Sequence, residues 1–342
     1  MRDDAAPDLN SRYPLGAGPG QGECIHIGEH VRWYRIVSSG APMGGVNIWA
    51  LRDGDGWAIV DTGFADPDTA AQWQVILDDL ALPVTRIICT HFHPDHIGQV
   101  GMLQERFDAP LFMTDIEWQL AKRIDAAGAD RGPFTELLHR CGMGAEALAA
   151  MAGGRPGRFS SGLPDRCEIL TPGETIAIGA LRWRIETGAG HSPRPAILVS
   201  DEARLALVGD QLLMRITPHV GVDAEDPEGD PLGLYLDYLN AAVAMPQDLL
   251  ALAGHGPVFR QPGLRATEIA DHHDKALRSV SQTLGTASLA CDVLMPLFGR
   301  IPSGVGLVLA LTEALAHLNR LVAEGRAQRF LDAEGRYRFG PA

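Results

Sequence analysis

The chain has 342 residues, 46% of them hydrophobic and 6% aromatic, with 43 acidic against 29 basic side chains and a net charge of −14. That apolar content excludes a disordered or fibrous polypeptide, and the length suits one large domain plus a smaller one. So acidic a chain is not built to neutralise phosphates, and five scattered cysteines (Cys24, Cys89, Cys141, Cys167, Cys291), with no CxxC, argue against a disulfide framework or a cysteine-zinc knuckle.

Residues 1–23 are polar and rich in Gly, Pro and Asp, without the apolar core behind a basic flank that a signal peptide has, so a polar N-terminal extension is expected. Strands are predicted at His30–Val37, Gly45–Leu51, Gly56–Val60, Val84–Thr90, Pro110–Met113, Leu181–Glu186, Ala196–Ser200 and Ala203–Val208, each bounded by Gly, Pro or Asp. Helical periodicity falls at Thr69–Leu80, Val100–Phe107, Ile116–Ala126 and Leu232–Ala244. Periodicity alone therefore predicts an α/β fold. No uninterrupted apolar run approaches the ~18 residues of a membrane span, so a cytoplasmic protein with no membrane partner is expected.

One segment carries chemistry. Thr90-His91-Phe92-His93-Pro94-Asp95-His96-Ile97-Gly98 places three imidazoles and a carboxylate within six positions, directly after the apolar run from Val84. A strand would project His91 and His93 the same way, and a tight turn through Pro94 would bring Asp95 and His96 round to a second ion. Such nitrogen and oxygen ligands suit zinc, with iron or manganese as substitutes. Further candidates sit at Gly-rich turns after apolar runs: His191 in Gly188-Ala189-Gly190-His191-Ser192-Pro193, Asp210 after Leu205-Ala206-Leu207-Val208-Gly209, and His255 in Gly254-His255-Gly256-Pro257. Cys89 reads as a small buried apolar residue.

With these residues in this order, roughly residues 24–260 resemble the metallo-β-lactamase superfamily, in which an HxHxDH motif is followed by a histidine, an aspartate and a last histidine. The resemblance implies an αββα sandwich. It also implies that His91, His93 and His191 hold one metal, that Asp95, His96 and His255 hold a second, and that Asp210 bridges them. Asp61, in Trp57-Ala58-Ile59-Val60-Asp61-Thr62-Gly63, matches an aspartate that lies beneath the metals and orients a ligand histidine.

Between His96 and His191 lie 94 residues, more than a strand-helix-strand return needs. The excess, residues 116–166, holds Trp118, Phe134, Leu137, Leu138, Met143, Leu148 and Met151, and is expected to form a helical cap with an apolar wall over the substrate. Residues 261–342 read as helices over Arg265–Leu284, Ala287–Phe298 and Val305–Glu324. A hairpin follows, Gln328–Leu331 and Arg336–Phe339 around Asp332-Ala333-Glu334-Gly335. The set resembles the winged-helix module that some hydrolases of this superfamily carry at their C-terminus. Winged helices often bind nucleic acid, but this region has nine basic against eight acidic residues, so a packing or homodimerising role is expected and no nucleic-acid partner.

The ligand set implies metal-assisted hydrolysis, with two zinc ions lowering the pKa of a water from about 15.7 to about 7. Asp95 and Asp210 are the carboxylates expected to handle the proton. No GxSxG or Cys-His pattern competes. An apolar cap on an acidic domain favours a small neutral ester, thioester, lactone or amide. Arg123, Arg131 and Arg215 are candidate carboxylate binders, and His219 and Tyr235 candidate pocket donors. The alternatives are a phosphodiesterase or ribonuclease, a mononuclear-iron persulfide dioxygenase of the same fold, and, disfavoured by the intact ligand set, a non-catalytic binding protein.

Overall fold

The computed structural model describes residues 12–38, 45–128, 132–153 and 158–342. Seven strands, β1 (Ile25–Ile27), β2 (Val31–Ile36), β3 (Val46–Asp53), β4 (Gly56–Val60), β5 (Val84–Ile88), β6 (Leu111–Met113) and β7 (Glu168–Ile169), form one sheet in sequence order. A second sheet runs β12 (Leu250–Ala253), β11 (Leu205–Gly209), β10 (Ala196–Ser200), β9 (Leu181–Thr187), β8 (Thr175–Ile178).

Side-chain alternation turns these sheets into layers. In β10 and β11, Ala196, Leu198, Leu205 and Leu207 point into a core shared with Trp33, Trp49, Val60 and Ile88 of the first sheet. The intervening Ile197, Val199, Ala206 and Val208 point the other way, into a core with the helices Pro231–Ala242, Pro262–Thr283 and Val305–Ala323. The far face of the first sheet (Tyr34, Ile36, Ile48, Ile59) likewise buries Trp73, Ile76, Val100 and Leu103 of the helices Pro67–Leu80 and Val100–Phe107. The order is helix, sheet, sheet, helix. Trp33, Trp49 and Trp183 are fully buried between the sheets, where truncation of any one to alanine costs about 3–5 kcal/mol.

Local signals start the helices where expected. Asp66 caps Pro67–Leu80 by accepting from Thr69 N at 2.7 Å, proline occupies the first turn, and Thr69, Trp73, Ile76, Leu77 and Leu80 form the buried stripe. The sequence reading missed β1, β7, β8 and β12 as strands, because they are short and lack a run of alternating residues. It also extended the fifth strand to Thr90, whereas β5 ends at Ile88. The Thr90 amide donates to the Asp61 carboxylate at 2.8 Å instead of to a neighbouring strand.

The C-terminal stretch forms Pro262–Thr283, a short 3-10 turn and helix over residues 290–298, Val305–Ala323, and the hairpin β13 (Ala327–Leu331) and β14 (Tyr337–Pro341). Gly335 turns the hairpin at φ 76°. Leu277, Val280, Leu294, Leu311, Leu315, Leu318 and Phe339 lie in the same cluster as Val208, Leu232 and Phe259, so this stretch shares its core with the second sheet. Val305–Ala323 is long and apolar enough to cross a membrane by length and composition, but 56% of it is buried within the fold.

The apolar side chains between 116 and 166, expected to form one wall over the substrate, divide between two cores. Leu137, Leu138, Cys141 and Met143 are buried in the core shared with the C-terminal helices, with Phe134 and Leu148 packed against it, whereas Trp118 packs with the first-sheet helices. Leucines at helical spacing satisfied the nearest apolar surface, which belongs to the C-terminal helices. The side chain of Met151, the candidate Arg131 and residues 1–11 of the N-terminal extension lie outside the described residues. Of that extension, Arg12 is buried and ion-paired with Glu268 at 2.8 Å.

Candidate metal centre

The ends of five strands meet at one edge of the sandwich. After β5 the chain bends through Thr90–Phe92, and His93 caps the short helix Pro94–Ile97, with Pro94 at its first position. His91 and His93 therefore converge through a bend rather than along a strand. Asp61 follows β4, His191 follows β9, Asp210 follows β11 and His255 follows β12. The sheets are stitched together here: buried Asn47 donates to Ala253 O and Gly256 O, both at 2.9 Å, and its amide reaches Gly254 O at 2.7 Å.

All seven residues named from the resemblance come together. The ligand atoms of His91, His93 and His191 lie within 4.8 Å of one another, as do those of Asp95, His96 and His255. The Asp210 carboxylate stands between the triads, with Oδ2 at 3.6 Å from His191 Nε2, 3.6 Å from His96 Nε2 and 3.3 Å from His255 Nε2. Asp95 Oδ2 lies 3.2 Å from His255 Nε2. Gly254 makes this convergence possible, because a Cβ there would collide with Asp210 Oδ1.

Hydrogen bonds on the opposite ring nitrogens decide which nitrogen each imidazole offers. His191 Nδ1 donates to His219 O at 2.7 Å, His255 Nδ1 to Gly45 O at 2.7 Å, and His96 Nδ1 to Asp61 Oδ2 at 2.8 Å. Thr90 Oγ1 donates to Asp61 at 3.0 Å and accepts from His91 Nδ1 at 2.9 Å. With the rings neutral, as a metal would hold them, four Nε2 atoms are left as lone pairs aimed into the site. His91 Nε2 and His191 Nε2 face each other at 3.2 Å, while the buried His96 Nε2, His255 Nε2 and Asp210 Oδ1 have no hydrogen-bond partner. Lone pairs turned on one another and orphaned buried acceptors are costly unless cations sit among them. The donor set fits divalent metal.

Asp61 takes the place beneath the ligands that the resemblance assigned it, and does so at φ 62°, a conformation rare for a non-glycine residue. Its amide is held by Ile88 O at 2.9 Å. Thr90 and the carbonyls of Gly45 and His219 were missed in the sequence. Backbone carbonyls carry no sequence signal, and Thr90 gives none beyond its place beside His91.

Without metal, charge in the site is arranged by proximity. Burial opposes the charge on His255, but Asp210 and Asp95 outweigh it and raise the imidazole to about 10. Burial also opposes charge on His96, which Asp61, Asp95 and Asp210 raise well above its ordinary range. His91 and His93 are held well below theirs by burial and by neighbouring imidazoles. A raised folded-state pKa contributes stability that is complete below the unfolded value and is lost as pH rises through the folded one. The metal-free protein is therefore expected to lose melting temperature from about pH 6.5 towards pH 10. Metal binding at pH 8 should release protons, measurable by calorimetry in buffers of different ionisation enthalpy. A flat melting profile with no proton release contradicts a protonated His255.

The ligand geometry is that of a known family, and the sequence profile of the Metallo-beta-lactamase superfamily matches residues 41–255. The chain belongs to this superfamily. The profile of a metallo-beta-lactamase-like C-terminal domain matches residues 277–342. A beta-lactamase domain protein from Burkholderia ambifaria superposes with a TM-score of 0.89 at 32% identity, covering 97% of this chain and 98% of that one. A metallo-beta-lactamase family protein from Thermus thermophilus does so at 0.76 with 26% identity, covering 91% of this chain and 98% of that one. The hydroxyacylglutathione hydrolase of Stenotrophomonas maltophilia (strain R551-3) is 38% identical over 81 residues, 24% of this chain and 30% of that protein.

The other pocket candidates fare unevenly. Arg123 is paired with Glu225 at 2.5 Å, so its charge is already answered. Tyr235 is fully buried and donates to Gln211 O at 2.9 Å, which removes it as a pocket donor. His219 is partly exposed and serves the site through its carbonyl to His191. Arg215 is exposed.

Proposed function

We propose that this superfamily member is a dinuclear zinc hydrolase of small acyl substrates: esters, thioesters, lactones or amides. The observation that carries the proposal is the pair of ligand triads sharing Asp210, with buried Nε2 and carboxylate atoms that have no other partner. His91, His93 and His191 would hold one ion, Asp95, His96 and His255 the other, and Asp210 both. Such ions acidify water and polarise a carbonyl.

The chain's own residues supply orientation and proton handling. Asp61 fixes His96 directly and His91 through Thr90, so both ligand rings are set before substrate arrives. The Asp95 side chain is 18% exposed against 3% for Asp210. Asp95 is therefore the carboxylate placed to pass a proton to solvent, while Asp210 is occupied between the triads.

The acyl class is supported by the overall charge of −14, which disfavours polyanions, and by likeness to a protein named for hydrolysing hydroxyacylglutathione. Five unpaired cysteines suit the cytoplasm. The small-molecule partner, the absence of a nucleic-acid or membrane partner and a homodimeric state belong to the same proposal. A panel of uncharged aryl esters, thioesters and lactones is expected to be turned over faster than bis-aryl phosphates or RNA, with two zinc ions per chain in protein purified without added metal. Phosphodiester cleavage without acyl hydrolysis would transfer the site to a nuclease, and one iron per chain to a dioxygenase.

A further inference from the structure

The helix Asp115–Ala127 begins against the loops that carry the first triad. Thr114 Oγ1 donates to Arg194 O at 2.7 Å. Within its first turn, Glu117 is fully buried, although its charge would ordinarily hold it at the surface. Its Oε2 accepts from the amide of Phe92 at 3.0 Å, and its Oε1 from Ser192 Oγ at 2.8 Å and the Arg194 amide at 2.7 Å.

Phe92 is the residue between His91 and His93, and Ser192 and Arg194 follow His191. One carboxylate therefore bonds both loops of the three-histidine triad, and none of its three donors lies on the elements bearing His255 or Asp210. Its position in the first turn of a helix favours the negative charge, and two oxygens accepting three donors leave little freedom in either loop.

We infer that Glu117 is a positioning residue for the His91, His93 and His191 site: it sets the spacing of the two loops so that three ring nitrogens converge, and bonds no residue of the second triad directly. The inference rests on the metal-centre reading above.

Metal-free protein titrated with zinc by calorimetry tests it. His93→Ala and His255→Ala first identify which binding step belongs to which triad. Glu117→Gln keeps the size but replaces one acceptor oxygen by an amide donor facing a backbone N–H or the Ser192 hydroxyl. It is expected to weaken the step lost in His93→Ala by about 10–100-fold, and to leave the step lost in His255→Ala within about threefold. Ser192→Ala, which retains the carboxylate and both backbone donors, should weaken the same step by a smaller factor, and carries the test alone if Glu117→Gln does not fold. Equal weakening of both steps, or no change in either, overturns the positioning role. A wild-type protein that binds no zinc overturns the metal-centre reading instead.

Discussion

Asp210→Asn and His93→Ala are each expected to lower kcat/KM by well over ~100-fold while the fold persists, exceeding the loss typical of residues that only support a ligand. Asp210 Oδ2 faces three imidazole nitrogens at 3.3–3.6 Å. An amide in its place supplies no charge to offset a metal cation and turns an N–H into the space the cation would occupy. His93 Nδ1 lies 2.9 Å from His91 Nε2, so its removal opens the first triad on one side. Both residues sit beyond strand ends, outside all three apolar clusters, which is why folding should survive. Rate measurements are to be paired with metal content and circular dichroism. Full activity with unchanged metal content would remove the residue concerned from the site.

Deleting residues 262–342 is expected to leave the remaining chain aggregated or altered in oligomeric state. The deletion uncovers Val208, Leu232, Tyr235, Leu239 and Phe259, which now share a core with Ile269, Leu277, Leu311 and Leu315. Single large-to-small changes in such a core cost about 2–5 kcal/mol, and a whole domain is stable by only about 5–15 kcal/mol. The same helix Val305–Ala323 carries Glu313, which pairs with His219 at 3.4 Å, so truncation also loosens the loop whose carbonyl orients His191. A monodisperse truncated protein would contradict this packing. DNA affinity should not be what is lost: sub-micromolar, salt-sensitive binding of duplex DNA by the full chain would contradict the structural role.

What the sequence determined by itself was a set of candidate ligands and the class of fold. Histidines and aspartates at glycine turns after apolar runs are a local signal, because each strand must end and each ligand must leave it at a defined residue. Most strands and helices were legible for the same reason: alternation and helical stripes are set by neighbours in the chain. Tertiary structure alone decided the rest. Which ring nitrogen each histidine offers depends on Gly45 O, His219 O and Thr90 Oγ1, partners up to 210 residues distant for His255. Leu137 and Leu138 read as a pocket wall because they are apolar, and are buried in a core shared with the C-terminal helices. Glu117 looked like one acidic residue among 43. Only folding brings Phe92, Ser192 and Arg194 to it, since three donors from separate loops have no common pattern in one dimension.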